Sequence, residues 1–130
     1  SLVPQALQTH ASIALVCKLA GRSHDARRAA QRALALAGQV HDPVNEVVVL
    51  ETHGIVADTA DGVQALRRAQ AGWECLERPL DAARCLTLIG RRLHESCPQA
   101  GDETLDRAAT LFDELGVNHL AERSRELALT

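Results

Sequence analysis

Apolar residues recur along the chain at spacings of three and four, which is the period of one face of an α-helix. One such stripe runs from Leu66 to Leu76, and a second runs from Ala82 to Leu93. Pro79 stands between them, and proline is favoured at the first position of a helix because it lacks a backbone N–H. This pattern predicts two amphipathic helices joined by a short corner, which is an αα-hairpin.

The same pattern, read along the whole chain, predicts seven helices. Glycines mark helix ends, while Ser23 and the Asp42-Pro43 pair mark helix starts as capping residues. Residues 96–101 have the least ordered composition. The predicted helices span about 4–20, 25–38, 43–57, 61–78, 79–95, 102–115 and 118–129. We therefore predict an all-α fold of three helix pairs and a C-terminal capping helix, in one domain over residues 1–130.

Small and large apolar residues also repeat between the helix pairs. In the second helix of each pair, a small and a large residue recur at a constant step along the chain. The small ones are Ala30, Ala69 and Ala108, and the large ones are Leu34, Trp73 and Phe112. The first helices align at Ala14, Gly54 and Gly90, where the two steps are unequal. We expect the large residues to lie in the core, and the unequal steps to reflect loops of different length.

Composition narrows the fold and the function. The chain has 130 residues, of which 46% are hydrophobic but only 2% aromatic. This favours close-packed helices over sheets. A net charge of −3 gives no general attraction to nucleic acid or membranes. No apolar run approaches the roughly 20 residues of a membrane span, and no signal peptide is visible. We expect a cytoplasmic location, and the lack of any Met suggests a piece of a longer protein.

Candidate chemistry is sparse. The four cysteines form no C-x-x-C pair and are predicted to be buried free thiols. His94 and Cys97 are spaced for one helix face, but a metal site needs three or four ligands. The chain has no phosphate-binding G-x-x-x-x-G-K-[ST] loop and no G-x-S-x-G elbow, which are the motifs of nucleotide binding and of a serine nucleophile. We expect no catalytic residues, no metal and no cofactor, and therefore no enzyme activity.

The helix pairs resemble degenerate tetratricopeptide (TPR) repeats, in which small residues allow two helices to approach closely. Ala14, Gly54 and Gly90 in the first helices are followed by small residues at 30, 69 and 108 in the second. The first pair is the best match, with small residues at Ala14, Cys17, Gly21, Ala26, Ala30 and Ala33. The period is longer than the usual TPR repeat of about 34 residues. The resemblance covers nearly the whole chain and implies an αα-hairpin solenoid.

Residues 73–125 more narrowly resemble the C-terminal helical repeats of bacterial LuxR-type and AfsR-type signal-transduction ATPases. Three elements carry this resemblance: Trp73 through Arg78-Pro79 to Ala83-Arg84, Ala108 to Phe112, and Leu115-Gly116 followed by Leu120-Ala121-Glu122-Arg123. It implies a module of a transcriptional regulator in which ATPase and DNA-binding modules lie elsewhere.

TPR-type solenoids bind partners along the concave face of their first helices. Carried over residue by residue, the family's contact positions fall here on Gln8, Lys18, Glu51, Arg84, Thr87, Arg91 and His94. The leading hypothesis is therefore a non-catalytic scaffold that binds a protein or peptide segment, such as another domain of the parent protein. Because the groove would be mixed in sign with a modest positive bias, we expect an acidic or carboxylate-bearing segment.

Two other functions stay open. The chain is a candidate spacer or oligomerisation module, including a homodimer. The last two helices also have the arrangement of a helix-turn-helix, with Asn118, His119 and Arg123 offered to DNA. Glu122 and Glu126 would then face phosphates, so we expect no nucleic-acid binding here. Arginines at 27, 28, 67, 68 and 107 recur with the repeat. We expect them to form a solvated face, and a basic stripe that binds an anionic partner is the alternative.

Overall fold

The structure is a computed structural model that describes residues 3–39, 41–57 and 60–129. Within these ranges it contains seven α-helices and no strand, which confirms the predicted all-α fold. The helices are α1 (Val3–Leu19), α2 (Ser23–Ala37), α3 (Pro43–Val56), α4 (Ala60–Cys75), α5 (Pro79–Ser96), α6 (Pro98–Glu114) and α7 (Asn118–Leu129).

Capping chemistry places the start of α3 as expected. Oδ1 of Asp42 accepts hydrogen bonds from the backbone N–H of Val44 at 2.9 Å and from that of Asn45 at 3.3 Å. Pro43 is the first residue of α3, as its missing N–H favours. Ser23 is not an N-cap as predicted. It is the first helical residue of α2, and Arg22 occupies the cap position without a side-chain hydrogen bond.

The segment predicted to be least ordered is mostly helical. Pro98 begins α6 one turn earlier than expected, and Cys97 alone separates α5 from α6. Gly101 explains the early start, because a Cβ built on it would lie well inside van der Waals distance of both N and Cα of His94. Only glycine lets the first turn of α6 cross the α5 backbone so closely.

The chain divides into two compact units, Ser1–Ala69 and Gln70–Thr130. In the first unit, α1, α2 and α3 pack on one another, and the first part of α4 contacts α3 where Leu66 covers Gly54. In the second unit, α6 packs against both α5 and α7. The single domain over residues 1–130, like its solenoid arrangement, stays a prediction.

The buried faces of α4 and α6 follow the constant step of the sequence repeat. Gly62, Leu66, Ala69 and Trp73 are buried, and so are the residues at 101, 105, 108 and 112. In α2, however, Leu34 is 48% exposed, and the predicted core position is wrong.

Burial in α2 follows that repeat only in part. Ala30, the small residue of the repeat, is buried, and so are Ala26, Ala29, Ala33 and Ala37. Ala14, Ala26, Ala29 and Ala30 share one hydrophobic cluster. The core side of α2 therefore consists of alanines and includes Ala33 rather than Leu34.

The two unequal steps reflect helix length as well as loop length. Helix α1 continues past Ala14 to Leu19, whereas α3 ends at Val56, soon after Gly54. The connection before α3 spans residues 38–42, and the connection before α5 spans only residues 76–78. Both glycines allow a close approach of a leucine from the second helix. A Cβ on Gly54 would lie 2.6 Å from Cγ of Leu66, and a Cβ on Gly90 would lie 2.7 Å from Cγ of Leu105. The expected variation in loops is thus present in the second connection of each pair, and the length of the first helix varies as well.

Three helices end in the same left-handed turn. After α1, α4 and α6, the residue with positive φ is Gly21, Glu77 and Gly116, with φ of 76°, 57° and 76°. At each, the next N–H donates to a carbonyl five residues back, for example Arg78 N to Trp73 O at 2.9 Å. This is the hydrogen-bonding pattern of the Schellman motif, where glycine is preferred. Glu77 occupies a glycine position.

Glu77→Gly is expected to raise the free energy of unfolding by about 0.5–1 kcal/mol, because the left-handed conformation costs a non-glycine residue about 1–2 kcal/mol and glycine offsets part of that with its larger unfolded-state entropy. Urea unfolding followed by circular dichroism measures the change. Gly116→Ala is the matched control and should destabilise the protein. A less stable Glu77→Gly variant would contradict this account of the turn.

Candidate functional site

The three predicted binding residues of the first unit lie on α1 and α3. Nε2 of the exposed Gln8 donates to Oδ1 of Asn45 at 3.4 Å, and Nζ of Lys18 donates to the carbonyl oxygen of Val56 at 3.5 Å. Glu51 is half-buried on α3. Gln8 and Lys18 are thus both engaged with α3 in the seam between the two helices.

The four predicted residues of the second unit all lie on α5. Arg84, Thr87, Arg91 and His94 are spaced by three, four and three positions, so they follow one side of the helix. Arg84 and Arg91 are exposed, and Thr87 and His94 are half-buried. The structure therefore brings these four together along α5.

Thr87 joins α5 to α7. Its hydroxyl donates to the carbonyl oxygen of Ala83 at 3.2 Å, and its Oγ1 lies 3.3 Å from Oγ of Ser124, which is 1% exposed. Since the single Thr87 proton is used on Ala83, the Ser124 hydroxyl donates to Thr87. This bridge satisfies a buried polar group on α7, and both hydroxyl groups line a cleft between α5 and α7.

The cleft has a volume of about 250 Å³ and lies entirely within the second unit. Phe112 of α6 contributes to its lining, and the other lining residues form walls from α5 and α7. The lining residues are Leu80, Arg84, Thr87 and Leu88 on α5, Phe112 on α6, and Leu120, Arg123 and Ser124 on α7. The cleft is therefore mostly apolar and carries two hydroxyl groups and two guanidinium groups.

The charge of the cleft is positive, although the chain carries a net charge of −3. No carboxylate is among the lining residues that the structure describes. Asp81 lies between two arginines: its Oδ2 is 2.8 Å from Nε of Arg78, and its Oδ1 pairs with Arg84. Arg84 is therefore partly neutralised. Arg123 forms no ion pair with any described residue, and its positive charge remains available.

The sequence prediction misses the α7 wall of this cleft. Leu120, Arg123 and Ser124 are not among the predicted binding residues, because the sequence predicts either a polar cap or a DNA-reading helix at this position. The spacing of Leu120, Ser124 and the half-buried Leu127 is that of an inward-facing stripe. That stripe is the available signal that α7 packs beside α5.

His94 takes part in helix packing as well. Its Nδ1 lies 2.9 Å from Oδ1 of Asp102, and both atoms are shielded from solvent, although they are not aligned as a hydrogen bond. Its backbone is covered by Gly101. Of the four predicted residues on α5, His94 thus contacts the start of α6, whereas Arg84 and Thr87 line the cleft.

The cysteines differ from the expectation of buried thiols. Only Cys85 is buried; Cys17 is half-buried, and Cys75 and Cys97 are exposed at helix ends. All four are free thiols. Among the described residues, no group of three His, Cys, Asp or Glu side chains is arranged to hold a metal ion.

The comparisons with known proteins identify no relative. No protein-family model, no curated protein and no solved structure matches this chain. Within the part of the chain that the structure describes, no helix is both long and apolar enough to cross a membrane.

Proposed function

We propose that this protein is a non-catalytic scaffold that binds a segment of another protein, and that α5 carries the binding face. The observation that carries the proposal is the cleft beside α5, which joins apolar surface to two arginines. Concave sites with apolar walls and a few placed polar groups are the usual form of binding sites. The resemblance to TPR-like repeats and to bacterial regulators supports the same function, with another domain of the parent protein as the partner.

Association between copies of the chain is the second candidate function. It is favoured by the outer face of α1, where Ile13, Val16 and Leu19 are all exposed. Such an apolar face is typical of an interaction surface rather than of a solvated helix. Light scattering over a range of protein concentrations distinguishes the two, because self-association raises the mass and peptide binding does not.

Selection of peptides tests the proposed function. The intact chain is immobilised and exposed to a phage-displayed library of random peptides, and the recovered peptides are titrated against the wild type and an Arg84→Glu, Arg91→Glu double variant. We expect recovered peptides to lose at least tenfold in affinity for the double variant, because two exposed positive charges on α5 are reversed.

Arg67→Glu, Arg68→Glu is the matched control, since it makes the same charge change at two exposed positions of α4. It should leave peptide binding unchanged. Duplex DNA is titrated in parallel over a range of salt concentrations. Failure to recover any peptide, binding that is indifferent to the α5 reversals, or tight DNA binding that weakens steeply with salt would overturn the proposal.

A further inference from the structure

We propose that the cleft between α5 and α7 takes one large apolar side chain of a peptide, and that Arg123 binds a carboxylate next to that side chain in the sequence. The inference rests on the proposed function and specifies its ligand. It commits to a peptide that combines leucine or phenylalanine with aspartate or glutamate, rather than to a purely acidic or a purely apolar one.

The apolar part of the cleft is already open to solvent. Among its lining residues, Leu80 is 46% exposed, and Leu88 and Leu120 are half-buried. Phe112 is buried in the core and is also part of the lining. Covering this surface removes apolar area from water, and an inserted aromatic or branched side chain makes the largest gain.

The size of the cleft selects a side chain rather than a whole cofactor. Its volume is about 250 Å³. Sites that enclose small molecules usually begin at roughly 300 Å³ and are often several times larger. The cleft extends along neighbouring helices and is open on one side, so the rest of a peptide can pass over its mouth. A single anchor residue of a longer chain is the occupant that fits.

The positive charge of the cleft favours an acidic residue next to the inserted apolar side chain. Arg84 already pairs with Asp81, so its attraction for a further anion is weaker than that of an unpaired arginine. Arg123 is exposed and forms no ion pair with the described residues, and a guanidinium binds a carboxylate through two parallel hydrogen bonds. The first turns of α5 and α7 flank the cleft through Leu80 and Leu120, so the positive ends of two helix dipoles favour the same anion.

Fluorescence anisotropy with a labelled peptide tests the ligand. The probe is a short peptide with a central phenylalanine followed by two glutamates, in an otherwise neutral and polar sequence. One comparison peptide replaces phenylalanine with serine, and another replaces both glutamates with glutamine. We expect each comparison peptide to bind the wild-type chain at least tenfold more weakly, because each lacks one half of the ligand.

Two pairs of variants locate the binding. Leu80→Asp changes the mouth of the cleft, and Leu115→Asp is its control at a residue that is 39% exposed at the end of α6. Arg123→Glu reverses the unpaired cation, and Arg107→Glu makes the same change at an exposed position of α6 outside the cleft. We expect at least tenfold weaker binding for both cleft variants and less than a twofold change for both controls. Circular dichroism verifies that all four variants remain helical.

These measurements test the proposed ligand independently of the proposed scaffold function. The inference would be overturned if the glutamine peptide bound as tightly as the glutamate peptide, or if both cleft variants still bound the probe. In either case, library peptides that depend on the α5 arginines would still support the scaffold function. Tighter competition by a single-chain fatty acid such as laurate than by the unlabelled peptide would overturn the assignment to a peptide. Loss of peptide binding in the cleft variants alone, with laurate inactive, supports the inference.

Discussion

Trp73→Ala is expected to lower the free energy of unfolding by about 3–5 kcal/mol, the range for emptying a large buried aromatic position. Trp73 is only 3% exposed, and the guanidinium of Arg78 lies 4.8 Å from the centre of its ring. The substitution therefore removes packing and a cation–π contact together. Chemical denaturation followed by far-ultraviolet circular dichroism measures the loss, because the variant has no tryptophan left to report by fluorescence.

Leu34→Ala is the control for this prediction. Leu34 stands where the sequence repeat predicts a core position equivalent to Trp73, but it is 48% exposed. Its replacement should cost less than about 1 kcal/mol, as for other partly exposed apolar residues. Similar losses for Leu34→Ala and Trp73→Ala would contradict the placement of Leu34 on the exposed side of α2.

Gly101→Ala is the second substitution with a large expected effect. The added methyl would overlap backbone atoms of His94, and backbone has no alternative rotamer to adopt. Alanine gains about 1 kcal/mol of helix propensity over glycine, but separating α5 and α6 costs about 3 kcal/mol or more. We expect a net loss of about 2 kcal/mol or more and a lower midpoint of thermal unfolding.

Gly38→Ala provides the contrast. Gly38 is exposed, has φ of −66°, and its nearest neighbour to an added Cβ is a carbonyl oxygen at 3.5 Å. Alanine fits there without strain, so the stability should stay equal or rise slightly. An unchanged stability of Gly101→Ala, measured in the same series, would mean that α5 and α6 do not cross as closely as described.

The fold is predictable because its signals are local. Proline at the first helical position, the Asp42 cap and helix-ending glycines place helix boundaries through chemistry within one turn. The register between helices is harder to predict. Both Leu34 and Ala33 lie on the apolar stripe of α2 in the sequence, and the larger side chain of leucine favours the prediction that Leu34 is buried. The structure buries Ala33 instead, because burial follows the geometry of a helix pair and not residue size alone.

The candidate site is only partly predictable, for a related reason. Arg84 and Thr87 can be found because they share one side of α5, and that periodicity is visible in the sequence. Ser124 cannot, because its meeting with Thr87 joins residues 37 positions apart. The spacing of Leu120, Ser124 and Leu127 signals that one side of α7 faces inward, but it does not indicate which side chain of α5 Ser124 meets.

The hydroxyl bridge between Thr87 and Ser124 is one of the few contacts that join the two walls of the cleft directly. Helices α5 and α7 each pack extensively on α6 but meet one another in few places. Regions with few contacts have low local opening free energies. The width of the cleft can therefore change while both helices stay packed on α6, which lets the cleft accept anchor side chains of different size. Selectivity for anchor size then depends on the strength of a single neutral hydrogen bond between the two walls.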